Sequence, residues 1–230
     1  MSYAPALPDS ALDPLPHLAI VGAGGLGREV LVLARQINEA CPTWQLLGFY
    51  DDQPPATPSI HGLPYLGSVA DLNAQPQPVH VVVAVGSSQS RRAIVARLAA
   101  PHLTFATLIH PSVVRAEYQQ LQIGAGSIIC QGCVLTCDIT LGQHVLLNLG
   151  CTIGHDAVLE DFCSLMPHAN VGGEARLETG TYLGTNATVI NRVRVGQHTV
   201  LGAGAVAVRD LPAHCTAVGV PAQVVKQHAR

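Results

Sequence analysis

The 230-residue sequence has few aromatic side chains, few charged side chains and no long apolar segment. Only 4% of its residues are Phe, Trp or Tyr and 12% are charged, although 48% are hydrophobic. A core this poor in aromatic rings favours a narrow packing of aliphatic side chains over a broad layered interior. No apolar run approaches the ~20 residues that a helix needs to cross a bilayer, so we expect no membrane insertion.

The charge and the first residues exclude further classes of protein. The net charge is −3 and there is no basic tract, so we do not expect nucleic acid as a partner. Residues 1–16 contain four prolines and lack a basic segment followed by an apolar one. We therefore predict an extended N-terminal lead-in and no secretory signal.

An aliphatic residue returns every six positions between Ile123 and Leu201. Neither a helix, with its period of 3.6, nor an alternating strand, with its period of 2, keeps a six-residue phase over this length. Units of six residues, each with one short strand and one bend, are typical of a parallel β-helix, in which three hexads form a triangular coil and equivalent residues stack. The fourteen hexads show no insertion, and their aliphatic residues are Ile123, Ile129, Leu135, Leu141, Leu147, Ile153, Leu159, Leu165, Val171, Leu177, Leu183, Val189, Val195 and Leu201.

The positions beside these aliphatic residues are also periodic. Two residues before each comes a mostly small side chain, among them Cys133, Cys151 and Cys163, and glycine follows the aliphatic residue in seven hexads, where we expect it to let the backbone bend. We interpret these cysteines as buried thiols of a protein in a reducing cytoplasm. Cys130, Cys133 and Cys137 have the spacing of a partial metal site, but no fourth ligand is evident, so we predict no metal.

Residues 17–108 predict a Rossmann-like α/β domain. A short apolar strand over 17–21 leads into the loop Gly22–Gly27 and then a helix, an arrangement in which backbone N–H groups receive a phosphate. Tight packing of a helix on a strand is the alternative reason for the glycines. A second strand ends in Asp51-Asp52, where a carboxylate is placed to accept hydrogen bonds from a ribose or a base.

The remaining strands of this domain are expected at 79–85 and 104–108. Together with the first two they make about half of a doubly wound sheet, which suits a single nucleotide. A dinucleotide needs the second half, and the hexads occupy that part of the sequence, so we favour a nucleotide-linked ligand over NAD. A helix over 90–100 is expected to expose Arg91 to solvent, after a bend at Gly86 that faces the ligand.

His155 is the candidate for chemistry on the coil. It lies in Gly154-His155-Asp156 at a bend, where a side chain leaves the prism, and its stacking neighbour on the next coil is Gly173. The glycine leaves space for a ligand beside the imidazole. Asp156 can hold one ring nitrogen protonated while the other accepts a proton. An ordinary surface histidine is the alternative.

The other coil histidines receive plainer interpretations. His144 is expected at a surface corner. His168 does not stack on His155 and is a weaker candidate to line the site. A zinc hydratase of this fold would show a close pair of histidines separated by four residues, and the sequence lacks that pair.

The sequence resembles the two-domain hexapeptide-repeat acetyltransferases of nucleotide-linked amino sugars and of sialic acid, the bacillosamine N-acetyltransferase-like family. The resemblance covers about residues 17–225 and identifies the family, not the substrate. It implies a left-handed β-helix over 109–230, a homotrimer with clefts between adjacent prisms, and acetyl-CoA lying along the coils. It rests on the glycine loop, the hexads, Tyr50-Asp51-Asp52, Ala84-Val85-Gly86, Ile109-His110-Pro111-Ser112, Gly154-His155-Asp156 and Val218-Gly219-Val220-Pro221-Ala222.

The resemblance also implies roles for single residues. His155 matches the general base, and Asp156 matches the acid that raises its basicity. Arg192 and Arg194 are expected either to meet CoA phosphates or to form a solvated edge. The nucleotide-linked sugar is expected at Gly24, Gly25, Leu26, Asp51, Asp52 and Gly86, with Asn148 near the acceptor amine. Acetyl-CoA is expected at Gly173, Thr185, Ala203 and Ser164, the last of which replaces a second histidine that some members carry nine residues after the base.

The expected reaction is direct transfer of an acetyl group from acetyl-CoA to an amine, without a metal and without a covalent enzyme intermediate. The resemblance implies a cytoplasmic enzyme of cell-surface polysaccharide biosynthesis. An O-acetyltransferase of the sialic acid type is the first alternative, because the same His–Asp pair can serve a hydroxyl acceptor. A non-catalytic β-helix scaffold and a pyridine-nucleotide enzyme are the others. The sequence does not choose the sugar or the nucleobase.

Overall fold

The computed structural model describes residues 14–228, so most of the predicted lead-in lies outside the described residues. The N-terminal region is a six-stranded sheet with three helices. No helix within 14–228 is long and apolar enough to cross a membrane. The elements are β1 His17–Val21, α1 Gly25–Ala40, β2 Gln45–Tyr50, β3 Ser59–Ile60, β4 Leu63–Gly67, α2 Val69–Asn73, β5 Val79–Val83, α3 Ser88–Arg97 and β6 Leu103–Phe105.

The order of the strands is β3-β4-β2-β1-β5-β6, and only β3 runs antiparallel to its neighbour. The carboxyl ends of β1, β2 and β5 therefore meet at one edge of the sheet, where open α/β sheets bind ligands. The predicted strand over 104–108 is in fact divided: β6 belongs to this sheet, whereas β7 (Leu108–Ile109) pairs with the coil. Strand β7 straddles the domain boundary that the sequence predicts.

The hexads form a three-sided left-handed parallel β-helix of two-residue strands, as predicted. Pairs such as Leu147 and Leu165 lie side by side 18 positions apart. Face 1 consists of β7, β9 Ile128–Ile129, β12 Leu146–Leu147, β15 Ser164–Leu165, β18 Tyr182–Leu183, β21 Val200–Leu201, β23 Cys215–Val218 and β24 Gln223–Gln227. Face 2 consists of β10 Val134–Leu135, β13 Thr152–Ile153, β16 Asn170–Val171, β19 Thr188–Val189 and β22 Val206–Ala207. Face 3 consists of β8 Gln122–Ile123, β11 Thr140–Leu141, β14 Val158–Leu159, β17 Arg176–Leu177 and β20 Arg194–Val195, with a 3-10 helix at Glu117–Gln119 before the first coil.

The interior of the prism is aliphatic and narrow. Thirteen of the fourteen hexad aliphatics are buried, and Ile123 is partly buried and packs against them. Cys133, Cys151 and Cys163 fill small positions beside them as free thiols, as predicted. Burial raises the pKa of Cys163 to about 12, which keeps this thiol protonated.

The bends differ from the expectation in one respect. The residue with positive φ comes three positions after the aliphatic residue and is often not glycine, as at Asp156 (φ 58°). The glycine that directly follows the aliphatic residue is needed for another reason. A Cβ at Gly154 would lie 2.6 Å from the backbone nitrogen of Gly173 on the next coil. Close approach of successive coils, not conformational freedom, therefore requires glycine there.

Face 1 packs against the N-terminal sheet. Ile128 and Leu146 share a buried cluster with Leu18 and Val82 of the sheet and with Val30 of α1. The opposite side of the sheet is covered by α2 and α3. The early coils of face 1 are thus inside the molecule.

Candidate active site

His155 and Asp156 form a hydrogen-bonded pair on the coil. They follow β13, at the bend between faces 2 and 3, and Nδ1 of His155 lies 2.8 Å from Oδ2 of Asp156. Both side chains are about half exposed, at 53% and 57%. With the carboxylate ionised, Nδ1 carries the proton and Nε2 is the nitrogen that can accept one.

The imidazole of His155 rests on Gly173. A Cβ at Gly173 would lie 2.5 Å from Nε2, so a side chain there would displace the ring. This arrangement is less distinctive than the sequence suggested, because three other histidines also lie against a glycine of a neighbouring coil: His144 on Gly126, His168 on Gly150 and His198 on Gly180. The hydrogen bond to Asp156 is the feature that separates His155 from them.

A second carboxylate stands on the next coil. Glu174 stacks above Asp156, its backbone N–H donates to the carbonyl oxygen of His155 at 2.8 Å, and its carboxylate is held by Arg192 at 2.9 Å. The hydrogen bond from Arg192, followed by the positive charge of that guanidinium, lowers the pKa of Glu174. Sequence reasoning missed this residue, although the 18-residue stacking rule points directly from Asp156 to it.

Arg192 and Arg194 are both engaged within the protomer. Arg192 pairs with Glu174 at the bend between faces 2 and 3, and Arg194 of face 3 pairs with Glu178. Of the two roles expected for Arg192 and Arg194, the structure therefore favours a solvent-exposed ion pair over a contact with CoA phosphates.

The glycine loop combines packing with open space. A Cβ at Gly27 would overlap the carbonyl oxygen of Gly22, so this glycine allows α1 to pack closely on the turn. A Cβ added at Gly24 or at Gly25 would have no heavy atom within 4 Å, and both residues are exposed. Packing therefore explains Gly27 but leaves Gly24 and Gly25 free to face a ligand, beside Leu26.

Of the two neighbouring aspartates, the structure brings only Asp51 to the loop. Its carboxylate accepts from the N–H of Ala23 at 2.8 Å and from the N–H of Gln53 at 2.9 Å. Asp52 instead pairs with Arg97 at 2.5 Å, and this hydrogen bond is what holds the pKa of Asp52 below its ordinary value. Asp52 thus ties the end of β2 to α3.

Gly86 joins the same edge from β5. Its nearest neighbour on the loop is Leu26, whose Cδ2 lies 4.0 Å from a Cβ built at Gly86. Gly24, Gly25, Leu26, Asp51 and Gly86 therefore converge at the carboxyl edge of the sheet.

Three of the residues expected near the acceptor and CoA lie at another bend, between faces 1 and 2, whereas Gly173 lies beside His155. Asn148 is 7% exposed, and its Oδ1 accepts from the N–H of Leu149 at 2.7 Å. Thr185 and Ala203 are exposed and stack on successive coils. Within one protomer, face 2 separates all three from His155.

Three expectations from the sequence are wrong. Ser164 does not face outward: it is fully buried, and Ser88 and Arg91 of α3 cover its hydroxyl. It therefore cannot contact an acetyl group in this arrangement. Arg91 is 1% exposed and not solvated, because the first turn of α3 docks on the coil. His144 is 2% exposed and not at the surface, because it is packed between Phe105 and Phe162.

The described residues also form cavities, whose positions can be compared with that of His155. Two cavities, of about 900 and 690 Å³, lie at the start of the coil and between α3 and the late coils of face 1. Neither is lined by His155, Asp156 or the glycine loop. Within residues 14–228, no three His, Cys, Asp or Glu side chains are grouped so as to hold a metal ion. With both side chains about half exposed, the His155–Asp156 pair of one protomer lies on an open surface.

Known proteins share this combination of an N-terminal α/β domain and a parallel β-helix. The PglD N-terminal domain family matches residues 17–98. No curated protein sequence matches the chain. The acetyltransferase domain of PglB from Neisseria gonorrhoeae FA1090, solved in complex with acetyl coenzyme A, is 31% identical with a TM-score of 0.83, covering 92% of this chain and 100% of that one.

Two further solved structures are similar over nearly their whole length. A variant of perosamine N-acetyltransferase from Caulobacter crescentus, in complex with CoA and GDP-perosamine, is 27% identical with a TM-score of 0.82, covering 92% of this chain and 97% of that one. WeeI from Acinetobacter baumannii AYE is 28% identical with a TM-score of 0.82, covering 90% of this chain and 99% of that one.

This likeness agrees with the Rossmann-like domain, the left-handed β-helix and the exposed His–Asp pair. The protein is therefore a two-domain hexapeptide-repeat acyltransferase. The chain belongs to the bacillosamine N-acetyltransferase-like family. It is an acetyltransferase with acetyl-CoA as its cosubstrate, so the scaffold and pyridine-nucleotide alternatives are set aside.

Proposed function

We propose that this protein transfers the acetyl group of acetyl-CoA to the amino group of a nucleotide-linked amino sugar, with His155 as general base. The observation that carries the proposal is the hydrogen bond of 2.8 Å between Nδ1 of His155 and Asp156 at an exposed bend. It leaves Nε2 as the proton acceptor. The solved relative that holds GDP-perosamine and CoA supports this class of acceptor.

The nucleotide is assigned to the carboxyl edge of the N-terminal sheet. Gly24 and Gly25 begin α1, where backbone N–H groups can receive a phosphate. Asp51 lies beside them and retains lone pairs for a ribose or base. Gly86 completes the edge from β5.

The acetyl transfer itself requires few groups. The amine nitrogen attacks the thioester carbonyl, and Nε2 of His155 takes a proton from that nitrogen, a step that typically contributes 10²–10⁴-fold, roughly. The backbone N–H of Gly173, which finds no acceptor within residues 14–228, can receive the developing oxyanion. The C–S bond then breaks, and the CoA thiolate leaves and takes up the proton.

We also propose that the enzyme is a homotrimer whose sites lie between prisms. His155 stands at the bend between faces 2 and 3, whereas Asn148, Thr185 and Ala203 stand at the bend between faces 1 and 2. Because face 2 separates these two bends in one protomer, a second prism is needed to bring a CoA-binding bend next to an imidazole. The free thiols and the use of acetyl-CoA support a cytoplasmic location.

The test measures acetyl-CoA turnover with UDP-, GDP- and CMP-linked amino sugars and with free sialic acid. We expect a nucleotide-linked amino sugar to be acetylated, and His155→Asn to reduce kcat by roughly 10²-fold or more. His198→Asn is the matched control, because His198 also rests on a glycine, lies at the bend between faces 3 and 1, and makes no hydrogen bond with a carboxylate among residues 14–228. Preference for sialic acid, or equal activity of the two variants, would contradict the proposal.

A further inference from the structure

Arg91 is a buried cation at the joint between the two domains. It is 1% exposed and lies in the first turns of α3, against the bend between faces 3 and 1. Burial lowers the pKa of its guanidinium to about 10, so it remains charged at neutral pH. A buried charge is tolerated only when its hydrogen-bonding groups are satisfied. Within residues 14–228 its partners are backbone carbonyls and one hydroxyl, and no carboxylate pairs with it.

One nitrogen of the guanidinium holds the turn after β5. Nη1 donates to the carbonyl oxygen of Val85 at 2.7 Å and to that of Gly86 at 3.3 Å. This is the turn that carries the nucleotide-binding residue Gly86. The side chain of Arg91 therefore fixes that turn by binding the backbone carbonyl groups of Val85 and Gly86.

The other two nitrogens hold the coil. Nε donates to the carbonyl oxygen of His144 at 3.1 Å, and Nη2 donates to Phe162 O at 3.0 Å, Cys163 O at 3.2 Å and Ser164 Oγ at 2.7 Å. His144 and Phe162 occupy equivalent places on successive coils. The planar guanidinium thus bridges two coils on one side and the Gly86 turn on the other, which its rigid fork of donors allows.

Ser88 adds a second contact from the same helix face. It lies three residues before Arg91, so both side chains point to the coil. The hydroxyls of Ser88 and Ser164 are 3.0 Å apart, and both residues are buried. The joint is therefore a small polar lock of Arg91, Ser88 and Ser164.

We propose that Arg91 is a positioning residue that sets the height of the nucleotide-binding turn along the prism, and hence where the acceptor amine meets the acetyl group. The inference rests on the proposed function. The nucleotide end of the substrate is held by the N-terminal domain, but the acetyl group is delivered on the coil. A shift of the joint by about 1 Å displaces the amine from the thioester and can cost about 10² in rate.

The test compares two acceptors in Arg91→Lys: the nucleotide-linked amino sugar and the same amino sugar without its nucleotide, at high concentration. A lysine presents its donors from one point and cannot hold both the turn and the coil. We expect kcat/KM for the nucleotide-linked acceptor to fall about 10-fold or more, whereas turnover of the free sugar and the KM for acetyl-CoA stay within about 2-fold. Arg92→Lys is the control, since Arg92 is exposed and makes no hydrogen bond across the joint among the described residues.

The outcomes separate this inference from the proposed function. An equal loss with both acceptors, or an equal rise in the KM for acetyl-CoA, would reduce Arg91 to a purely structural residue and overturn the inference. If the wild-type protein acetylates neither acceptor, the proposed function fails instead. Should Arg91→Lys not fold, Ser164→Ala and Ser88→Ala remove single contacts of the lock. We expect the same split between acceptors in these variants, of about 3-fold, and its absence in both would also overturn the inference.

Discussion

At the scale of single residues, the proposed chemistry rests on the hydrogen bond between His155 and Asp156. Four histidines of the coil rest on a glycine of a neighbouring coil. This contact is therefore a recurrent packing feature of the fold and does not by itself mark a catalytic residue. The carboxylate at His155 fixes which ring nitrogen carries a proton. We therefore expect catalysis to require the aspartate as well as the imidazole.

Asp156→Asn tests the role of the carboxylate. The amide NH₂ can donate to Nδ1, which would leave the proton on Nε2 and remove its ability to accept another. We expect kcat to fall by roughly 10²-fold while the thermal shift caused by the nucleotide ligand is unchanged. Asp138→Asn is the matched control, because Asp138 has the same positive φ one coil earlier (55° against 58°). Similar rates for the two variants would rule out this role for Asp156.

His144 provides a test of stability against pH. Burial, and then the charge of Arg91, lower its pKa to about 4. The unfolded chain binds this proton below pH ~6.5, but the folded chain does not until about pH 4, so the contribution to stability is lost as the pH falls through that window. The loss from this residue between pH 7 and pH 5 is about 2 kcal/mol.

His144→Phe removes the titrating group and keeps a ring between Phe105 and Phe162. Since Nδ1 of His144 is buried without a partner among the described residues, we expect the variant to be at least as stable at pH 7. Urea unfolding at pH 7 and pH 5, at one protein concentration, should show the wild type losing about 2 kcal/mol more than the variant. Parallel losses would show that His144 is not a buried neutral imidazole.

At the scale of elements, the turn between β1 and α1 serves two purposes with different glycines. Gly27 lets the helix pack on the turn, and Gly25 starts the helix in open space. The sequence motif presents packing and ligand binding as alternatives. In the structure the close packing falls on Gly27, and we propose that ligand binding falls on Gly25.

Gly25→Ala and Gly27→Ala form a matched pair of variants. A methyl group at Gly27 overlaps the Gly22 carbonyl, and we expect it to destabilise the protein by about 1–3 kcal/mol. A methyl group at Gly25 meets no heavy atom of residues 14–228 within 4 Å and removes a flexible glycine from α1, so stability should be unchanged or raised by up to about 1 kcal/mol. It should nevertheless weaken nucleotide-sugar binding, measured as a smaller ligand-induced rise in Tm. Unimpaired binding would remove Gly25 from the proposed site.

At the scale of the whole molecule, the two halves of the proposed acetyl-transfer site stand on opposite edges of face 2. One edge carries His155, and the other carries Thr185 and Ala203. The proposal that a second prism completes the site explains why the surface around His155 is open. It also explains why His155 and Asp156 line neither of the two cavities.

Mixed trimers test this division. His155→Ala lacks the base, and Ala203→Trp blocks the CoA edge, so each variant alone should be inactive. When the two are unfolded and refolded together in equal amounts, three quarters of random trimers are mixed and each has one intact site of three, which predicts roughly a quarter of wild-type activity. No recovery in trimers shown by mass measurement to be mixed would place both edges in one site of one chain.

Much of the fold was accessible from the sequence because the repeat encodes it locally. An aliphatic residue of a hexad, such as Leu159, points inward whatever packs on the outside of the prism. His155 and Asp156 are neighbours in the sequence, so they lie side by side in any tertiary structure. The stacking of His155 on Gly173 also follows from the period alone. These features were predicted, and their positions in the structure match.

The period does not determine which face of the prism another domain covers. The sequence placed Ser164 beside acetyl-CoA, His144 at a surface corner and Arg91 on a solvated helix face, and all three are buried because α3 and the N-terminal sheet dock on face 1 and its bend. In the same way, only the docking of α3 decides that Asp52 pairs with Arg97 while Asp51 turns to the glycine loop. The sequence by itself determined the prism and its His–Asp pair, since both arise from contacts between near neighbours in the repeat. Only the tertiary structure decided how the nucleotide-binding edge is joined to the coil, because that joint is built from residues more than 50 positions apart.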